Sequence, residues 1–377
     1  MDLVSSLPND VAATDLFHRG VCSSGPISID FRIGNRLNIP IGYSLKPARG
    51  RVMGDLLRRI LEEHQGYFVS GQEIGRRLGT SRAAVWKQVQ GLRRRGFGIE
   101  GARGAGYRLL GRPDLIEESE LFSRLSHREF WKAFLFFPVT DSTNTRAVEL
   151  AGKGAAHATV VCADAQTVGR GRLGRKWESP PGVNLYLSLL LRPPVDPLRA
   201  PQFTLVTAVA LAAAVEEVSG LRATLKWPND LYLDGRKAAG ILAEMSADPD
   251  RLRHVVIGVG LNVNAEPSAF PEELQEKATS LKILTGRTFR RVEVLARFLD
   301  SFAGCYGAFL SGGFKALLPD WNRRDVLPGK RVLLRHGGEE ARGRVLGVDE
   351  SGLLLFRREG ASRLEKVASG EILEFER

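Results

Sequence analysis

The chain has 377 residues, 43% of them hydrophobic, and a formal net charge of +11. That length allows two or three domains, and that apolar content excludes a mainly disordered chain. No apolar run reaches the roughly 20 residues of a membrane span, the first residues do not read as a signal peptide, and three scattered cysteines (Cys22, Cys162, Cys305) exclude a disulfide framework, which fits a reducing cytoplasm.

Residues 1–50 show scattered Gly, Pro and Ser without periodicity and read as a disordered arm or a start-site extension. Residues 51–112 hold 13 Lys/Arg against 5 Asp/Glu, a local net charge of +8. Such an excess is the footprint of a nucleic-acid-binding module, although charge alone also fits a solvated face. The residue pattern favours the module. Met53, Leu56, Leu57, Ile60 and Leu61 share one face of a helix over 53–64, which Gly66 ends. Ser70 and Glu73 have the spacing of a capping box for a second short helix carrying Ile74 and Leu78. Gly79-Thr80 forms a turn, and Ser81 opens a third helix. There Val85, Val89 and Leu92 face inward, Lys87, Gln90 and Arg94 face outward, and Arg82 lies near the start. Strands at 97–100 and 106–109 complete a winged helix-turn-helix. Ser81, Arg82, Lys87, Gln90 and Arg94 are its candidate DNA-contacting residues.

Gly111-Arg112-Pro113 reads as a linker. Beyond residue 127 the pattern predicts strands at 133–138, 158–165, 183–192, 222–227, 237–245 and 254–263. It predicts helices at 143–152, 202–219 and 291–310, and the Ala-rich run Leu205–Val218 marks the second as buried. Short turns between neighbouring strands require a mixed sheet. After Trp321, short strands at 330–335, 341–348, 353–357, 363–367 and 371–375 suggest a small SH3-type β-barrel. The expected architecture is α+β in three domains, 51–112, 113–321 and 322–377.

Four stretches carry chemistry. Gly169-Arg170-Gly171-Arg172-Leu173-Gly174-Arg175-Lys176-Trp177 has the spacing GxGxxG, yet Pro180 and Pro181 forbid the helix that a dinucleotide fingerprint requires. What remains is a glycine loop with four cations and free backbone N–H groups, suited to phosphate or carboxylate. Lys226-Trp227-Pro228-Asn229-Asp230 places a lysine at a strand end beside a turn. Thr140-Asp141-Ser142-Thr143-Asn144 offers either helix caps or a cluster of hydroxyls and an amide for a polar ligand. Gly258-Val259-Gly260-Leu261-Asn262-Val263-Asn264 is a glycine-spaced strand, which marks a bulge, tight packing or the close approach of a ligand. No Ser/His/Asp or Cys/His constellation accompanies them.

Together these stretches resemble the biotin protein ligases, specifically the bifunctional kind that also represses the biotin operon. The resemblance runs from about residue 53 to the C-terminus. It rests on 78–96, GRGRLGRKW at 169–177, KWPNDLYL at 226–233, RKAAGILAE at 236–244 and GVGLNVN at 258–264. It implies a central sheet related to class II aminoacyl-tRNA synthetases. It implies ATP and Mg²⁺, a biotinyl-5′-adenylate intermediate, and transfer to a lysine of a biotin carboxyl carrier protein such as that of acetyl-CoA carboxylase. It also implies operator DNA as a partner and a homodimer when the adenylate is bound.

By motif position, Ser142, Thr143, Asn144 and Gln166 match the family's biotin pocket. Arg170, Gly171 and Arg172 match the core of its adenylate loop, flanked by Gly169, Gly174 and Trp177. Lys226 matches the lysine at the acyl phosphate, so Lys226, Arg170 and Arg172 are the candidate catalytic residues. Metal ligands are not identified. Ala238 and Ala165 depart from the family pattern. Two other readings remain: a ligand-sensing transcription factor without ligase activity, and a ligase for a related acyl group such as lipoate.

Overall fold

The computed structural model describes residues 49–376 apart from Arg95 and Pro113, with side chains from Met53 onward; of the arm expected at 1–50, residues 1–48 lie outside the described residues and 49–50 belong to the first helix. The first helix, α1 (Arg49–Glu63), begins ahead of the apolar pattern, and α2 (Gly71–Leu78) and α3 (Arg82–Arg94) follow. Leu57, Ile60 and Leu61 of α1 close on Ile74, Val85, Val89 and Leu92. Leu56, expected inward, is 46% exposed. The seam made by Leu57, Ile60 and Leu61 is narrow, and Leu56 falls on its flank.

Ser70 caps α2 by accepting from the Glu73 N–H at 3.1 Å. The carboxylate of Glu73 does not close the expected box; it pairs with Arg76 and Arg77. Gly79 ends α2 in the left-handed region at φ 62°, where glycine is favoured. The antiparallel strands β1 (Gly98–Ala102) and β2 (Gly106–Gly111) form the wing, tied to the helices by the Val69–Tyr107 bridge.

An unforeseen helix, α4 (Glu118–Arg124), leads into β3 (Ala133–Thr140), α5 (Thr143–Gly152), β4 (Thr159–Gln166) and β5 (Leu185–Leu191). Next come α6 (Gln202–Ser219), β6 (Ala223–Lys226), β7 (Asp230–Leu233), β8 (Arg236–Ala247) and β9 (Leu252–Leu261). The helices α7 (Glu272–Gln275), α8 (Leu281–Thr285), α9 (Arg291–Gly312) and α10 (Leu318–Asn322) complete this part. The seven strands run in the order β3-β4-β5-β9-β8-β7-β6, with β3 parallel to β4 and all other pairs antiparallel. The sheet is therefore mixed, as expected.

Strand alternation gives this sheet two unlike faces. Leu185, Leu187, Leu189, Val255, Ile257, Val259, Leu261 and Ile241 point to α6 and α9 and belong to one large apolar core. The helix expected at 202–219 is α6, and its run Leu205–Val218 is apolar on nearly all sides because it is buried on nearly all sides. On the opposite face α5 covers Val161, Leu190 and Val256 through Ala147 and Ala151. Beyond that small patch the second face carries Tyr186, Ser188, Leu242 and Glu244 beside the glycines Gly240, Gly258 and Gly260.

The last five strands are β10 (Arg331–His336), β11 (Glu339–Val348), β12 (Leu354–Arg358), β13 (Glu365–Val367) and β14 (Glu371–Phe375). They form an antiparallel unit in the order β13-β12-β11-β10-β14. Val345, Leu354, Phe356 and Ile372 continue the same apolar core, and Trp227 Nε1 donates to the Gly352 carbonyl at 3.3 Å. This unit is thereby seated against the end of the central sheet.

Candidate functional site

The polar pocket begins where β3 gives way to α5. Asp141 Oδ1 accepts from the Ser142 N–H at 2.7 Å and from Thr140 Oγ1 at 2.9 Å, fixing the entry to the helix. Ser142, Thr143 and Asn144 are buried, and the Ser142 side chain makes no capping bond, so capping does not account for it. Gln166, at the end of β4, accepts from the Thr143 N–H at 2.8 Å and donates to Ser179 Oγ at 2.9 Å. Ser188 Oγ lies 2.8 Å from Thr143 Oγ1 and 2.6 Å from Asn144 Oδ1. Asn144 fills the space above Gly258, where a Cβ would stand 2.2 Å from Oδ1.

Next to this pocket the Trp177 indole lies flat on the sheet. A Cβ at Gly260 would stand 2.4 Å from its ring, and one at Gly240 would stand 3.1 Å away. Gly258 and Gly260 thus mark close approach. Asn262 and Asn264 have a different task. Asn262 Nδ2 donates to the Thr279 carbonyl at 3.1 Å, and Asn264 brackets Phe289 with bonds of 2.8 and 2.9 Å. Both amides are structural. Ala238 is fully buried among apolar residues, so its departure from the family pattern concerns packing.

The glycine loop folds back on itself as a hairpin. Gly171 N–H donates to the Arg175 carbonyl at 2.7 Å and Trp177 N–H to the Gly169 carbonyl at 2.9 Å. Leu173 and Gly174 turn through the left-handed region at φ 56° and 74°. Gly169 admits no side chain, since a Cβ would meet the Trp177 carbonyl at 2.2 Å. Between β4 and β5 the described residues form one helical turn, the three-residue Arg172–Gly174, so the helix that a dinucleotide fingerprint requires does not follow the glycines.

Lys176 pairs locally with Glu178 at 2.8 Å, whereas the loop's three arginines are held by acceptors from other parts of the chain. Arg170 Nη2 donates to Glu244 at 2.8 Å. Arg172 donates to Asn229 Oδ1 at 3.1 Å and to the Gly370 carbonyl at 3.1 Å. Arg175 pairs with Glu371. Lys226 Nζ donates to the Ile372 carbonyl at 3.0 Å and lies 4.9 Å from the Phe375 ring centre. Burial pulls both Lys226 and Arg172 below their ordinary values, with Asp230 and Glu371 opposing the shift. In such a half-buried place charge–charge interactions are stronger than in water. A cleft of about 260 Å³ opens beside this cluster, lined in part by Arg172, Asn229, Glu244, Trp227 and Gly352.

The hydroxyls and amides and the cations thus meet on one face, joined by Trp177. The β-strand register carries Gly260 across Gly240 and Asp230 to Lys226. Sequence reasoning missed Ser188, Glu244, Lys237 and the backbone carbonyls of 370–372. Lys237 Nζ pairs with Asp230 at 2.6 Å and lies 5.8 Å from the Trp177 ring centre. The available signal was alternation, since Ser188 and Glu244 have the strand parity of Gly258. Among the described residues no three His, Cys, Asp or Glu side chains gather as a metal site.

In the winged domain Ser81, Arg82, Lys87 and Arg94 are exposed and Gln90 is half-buried, opposite the buried Val85, Val89 and Leu92. Trp86, which the sequence reading passed over, is 57% exposed on the same helix.

An amide- and hydroxyl-lined pocket thus lies beside clustered cations. Comparison with known proteins gives the class a name. Residues 136–262 match the Biotin/lipoate A/B protein ligase family, and residues 55–108 match an HTH domain. The bifunctional ligase/repressor BirA of Bacillus subtilis is 39% identical over 305 residues, covering 81% of this chain and 93% of that protein. BirA of Escherichia coli is 32% identical, covering 78% and 90%. A biotin protein ligase from Aquifex aeolicus, solved with biotin and ATP, matches with TM-score 0.56 at 34% identity, over 66% of this chain and all of that one. The chain belongs to the biotin protein ligases, in their bifunctional ligase/repressor branch.

Proposed function

We propose that the protein joins biotin to ATP as biotinyl-5′-adenylate and passes the biotinyl group to a lysine of a biotin carboxyl carrier domain. In the first step a biotin carboxylate oxygen attacks the α-phosphorus, and the bond to pyrophosphate breaks. In the second step the neutral ε-amine of the carrier lysine attacks the anhydride carbonyl, loses a proton, and releases AMP. Neither step calls for an enzyme nucleophile.

The difficulty is bringing an anion to a polyanion. Two unit charges ~4 Å apart repel by about 4 kcal/mol at an effective dielectric of ~20. Arg170, Arg172 and Lys226 offset that repulsion and stabilise the charge that develops in the transition state. Ser142, Thr143, Asn144 and Gln166 hold the biotin head, with Gly171 letting the loop backbone approach. Gly169 and Gly174 shape the loop, and Trp177 packs beside the adenylate. ATP would arrive as its Mg²⁺ complex, in which the ion would neutralise phosphate charge and could meet the nearby oxygens of Asp230 and Asn229.

The observation that carries this reading is the set of acceptors on the cations. Arg172, Arg175 and Lys226 point at two carbonyls and a carboxylate of residues 370–372. These are places that a carboxylate and a phosphate can take over.

The reading extends to the whole chain. Residues 51–112 bind operator DNA, 113–321 form a catalytic unit related to class II aminoacyl-tRNA synthetases, and 322–377 form an SH3-type barrel. The adenylate-bound protein is a cytoplasmic homodimer that presents two recognition helices to a palindromic operator of biotin genes. A purified carrier domain incubated with the protein, labelled biotin and Mg-ATP tests the enzyme reading. Label on the carrier lysine is expected. Its absence, with an active reference ligase alongside, would contradict it.

A further inference from the structure

Glu244 closes the RKAAGILAE stretch without a role assigned to it, and it joins the pocket floor to the glycine loop. It stands on β8 opposite Val256 and points to the polar face. One carboxylate oxygen accepts from Arg170 Nη2 at 2.8 Å, and the other accepts from Asn144 Nδ2 at 2.7 Å. An ionised carboxylate only accepts hydrogen bonds. With the longer bond from the same nitrogen to the Leu242 carbonyl at 3.3 Å, it fixes the Asn144 amide with Nδ2 toward itself and Oδ1 toward Ser188, which donates at 2.6 Å. Ser188 Oγ also lies 2.8 Å from Thr143 Oγ1, which in turn donates to Gln166 Oε1 at 3.2 Å. A chain of hydrogen-bonding contacts thus links Thr143, Ser188, Asn144 and Glu244 to the loop's first arginine.

We infer that Glu244 is a positioning residue for biotin binding, setting the amide of Asn144 and holding Arg170 over the pocket before ATP arrives. The inference rests on the biotin-ligase reading of this site. Arg170 and Glu244 are part-exposed, with 45% and 29% of their side chains accessible, so the ion pair is weak enough for an incoming anion to share the arginine. The bond to Asn144 stays in place, and the pocket keeps its hydroxyl and amide directions.

Glu244→Gln keeps the shape but removes the charge and lets the neighbouring amide turn over. Biotin-dependent ATP–pyrophosphate exchange, measured against biotin and against ATP, tests the role. The variant is expected to raise the KM for biotin about tenfold, which equals about 1.4 kcal/mol. The KM for ATP and the melting temperature should be nearly unchanged, with a smaller fall in kcat. Arg170→Gln should cost less biotin affinity in the Glu244→Gln background than in the wild type, because the two act on one contact. An unchanged KM for biotin would overturn the inference, and so would a loss confined to kcat or additive effects of the two substitutions. A wild type that shows no exchange would instead overturn the ligase reading, and this inference with it.

Discussion

The two faces of the central sheet are made by the same strands and do different work. On β9, Val255, Ile257, Val259 and Leu261 point to α6 and α9, while Val256, Gly258 and Gly260 point the other way. The first set is buried apolar bulk that holds the sheet to its helices. The second removes side chains where Asn144 and Trp177 must lie against the backbone. Neighbouring residues one position apart thus answer to apolar packing on one side and to the close approach of Asn144 and Trp177 on the other. The contrast teaches that glycines at alternate strand positions, beside large apolar partners, mark a face against which other side chains lie.

Substitutions on β9 can break that contrast. Ile257→Ala should destabilise the catalytic unit by about 2–5 kcal/mol, as large-to-small core changes do. Gly258→Ala should cost much less stability but displace the Asn144 amide, and biotin binding by calorimetry should collapse. Thermal melting and biotin titration on both variants decide; the account fails if the alanine at 258 binds biotin normally.

The cations sharpen the functional side. Lys226→Ala and Arg172→Ala should each lose about 2–4 kcal/mol of transition-state stabilisation, on the scale of an oxyanion-hole donor. Both variants should stay folded, since each cation binds chiefly through replaceable acceptors. Near-normal exchange kinetics in both would remove them from the mechanism.

The winged domain offers an independent surface. Reversing Lys87 and Arg94 to Glu should abolish operator binding and leave ligation intact. Any residual binding should depend less on salt, by a slope of about 0.9 for each lost phosphate contact. Titration of operator DNA at several salt concentrations, with and without biotin plus ATP, measures this. Tighter binding with both ligands is expected if adenylate favours the dimer.

The smallest effect concerns the seam between α10 and the last five strands. Burial raises Asp325 to about 6, opposed by bonds from the Leu327 N–H and Trp321 Nε1. A raised carboxylate contributes stability that is fully present below its unfolded value of 3.8 and is lost as pH rises through about 6. Lowering the pH from 7 to 5 should therefore raise the stability by about 1 kcal/mol, read as a higher melting temperature. Asp325→Asn should flatten that gain, and an unchanged pH profile would contradict the assignment.

Much of this was legible in the sequence where a single element carries the signal. The inward set Val85, Val89 and Leu92 follows one helical period, and each strand after residue 330 is bounded by its own turn. Asn144, Gln166, Arg170, Arg172 and Lys226 were visible as residue types beside turns, and the structure brings them to one face. Features that depend on pairing between elements were not visible. The four-residue β7 reads as part of the turn before it. Glu244 acquires its partners only through the register of β8 on β9. The acceptors at Gly370 and Ile372 are backbone carbonyls, which no side-chain pattern can announce.

The central claim is that the polar face of the sheet activates the biotin carboxylate with ATP. Pyrophosphate exchange into ATP, assayed with biotin and with lipoate side by side, tests it most directly. The account predicts exchange that depends on biotin and on Mg²⁺ and is negligible with lipoate. Exchange supported by lipoate and not by biotin would contradict it. So would the absence of exchange with either acid in a folded, biotin-binding protein, which would leave a ligand-sensing regulator in its place.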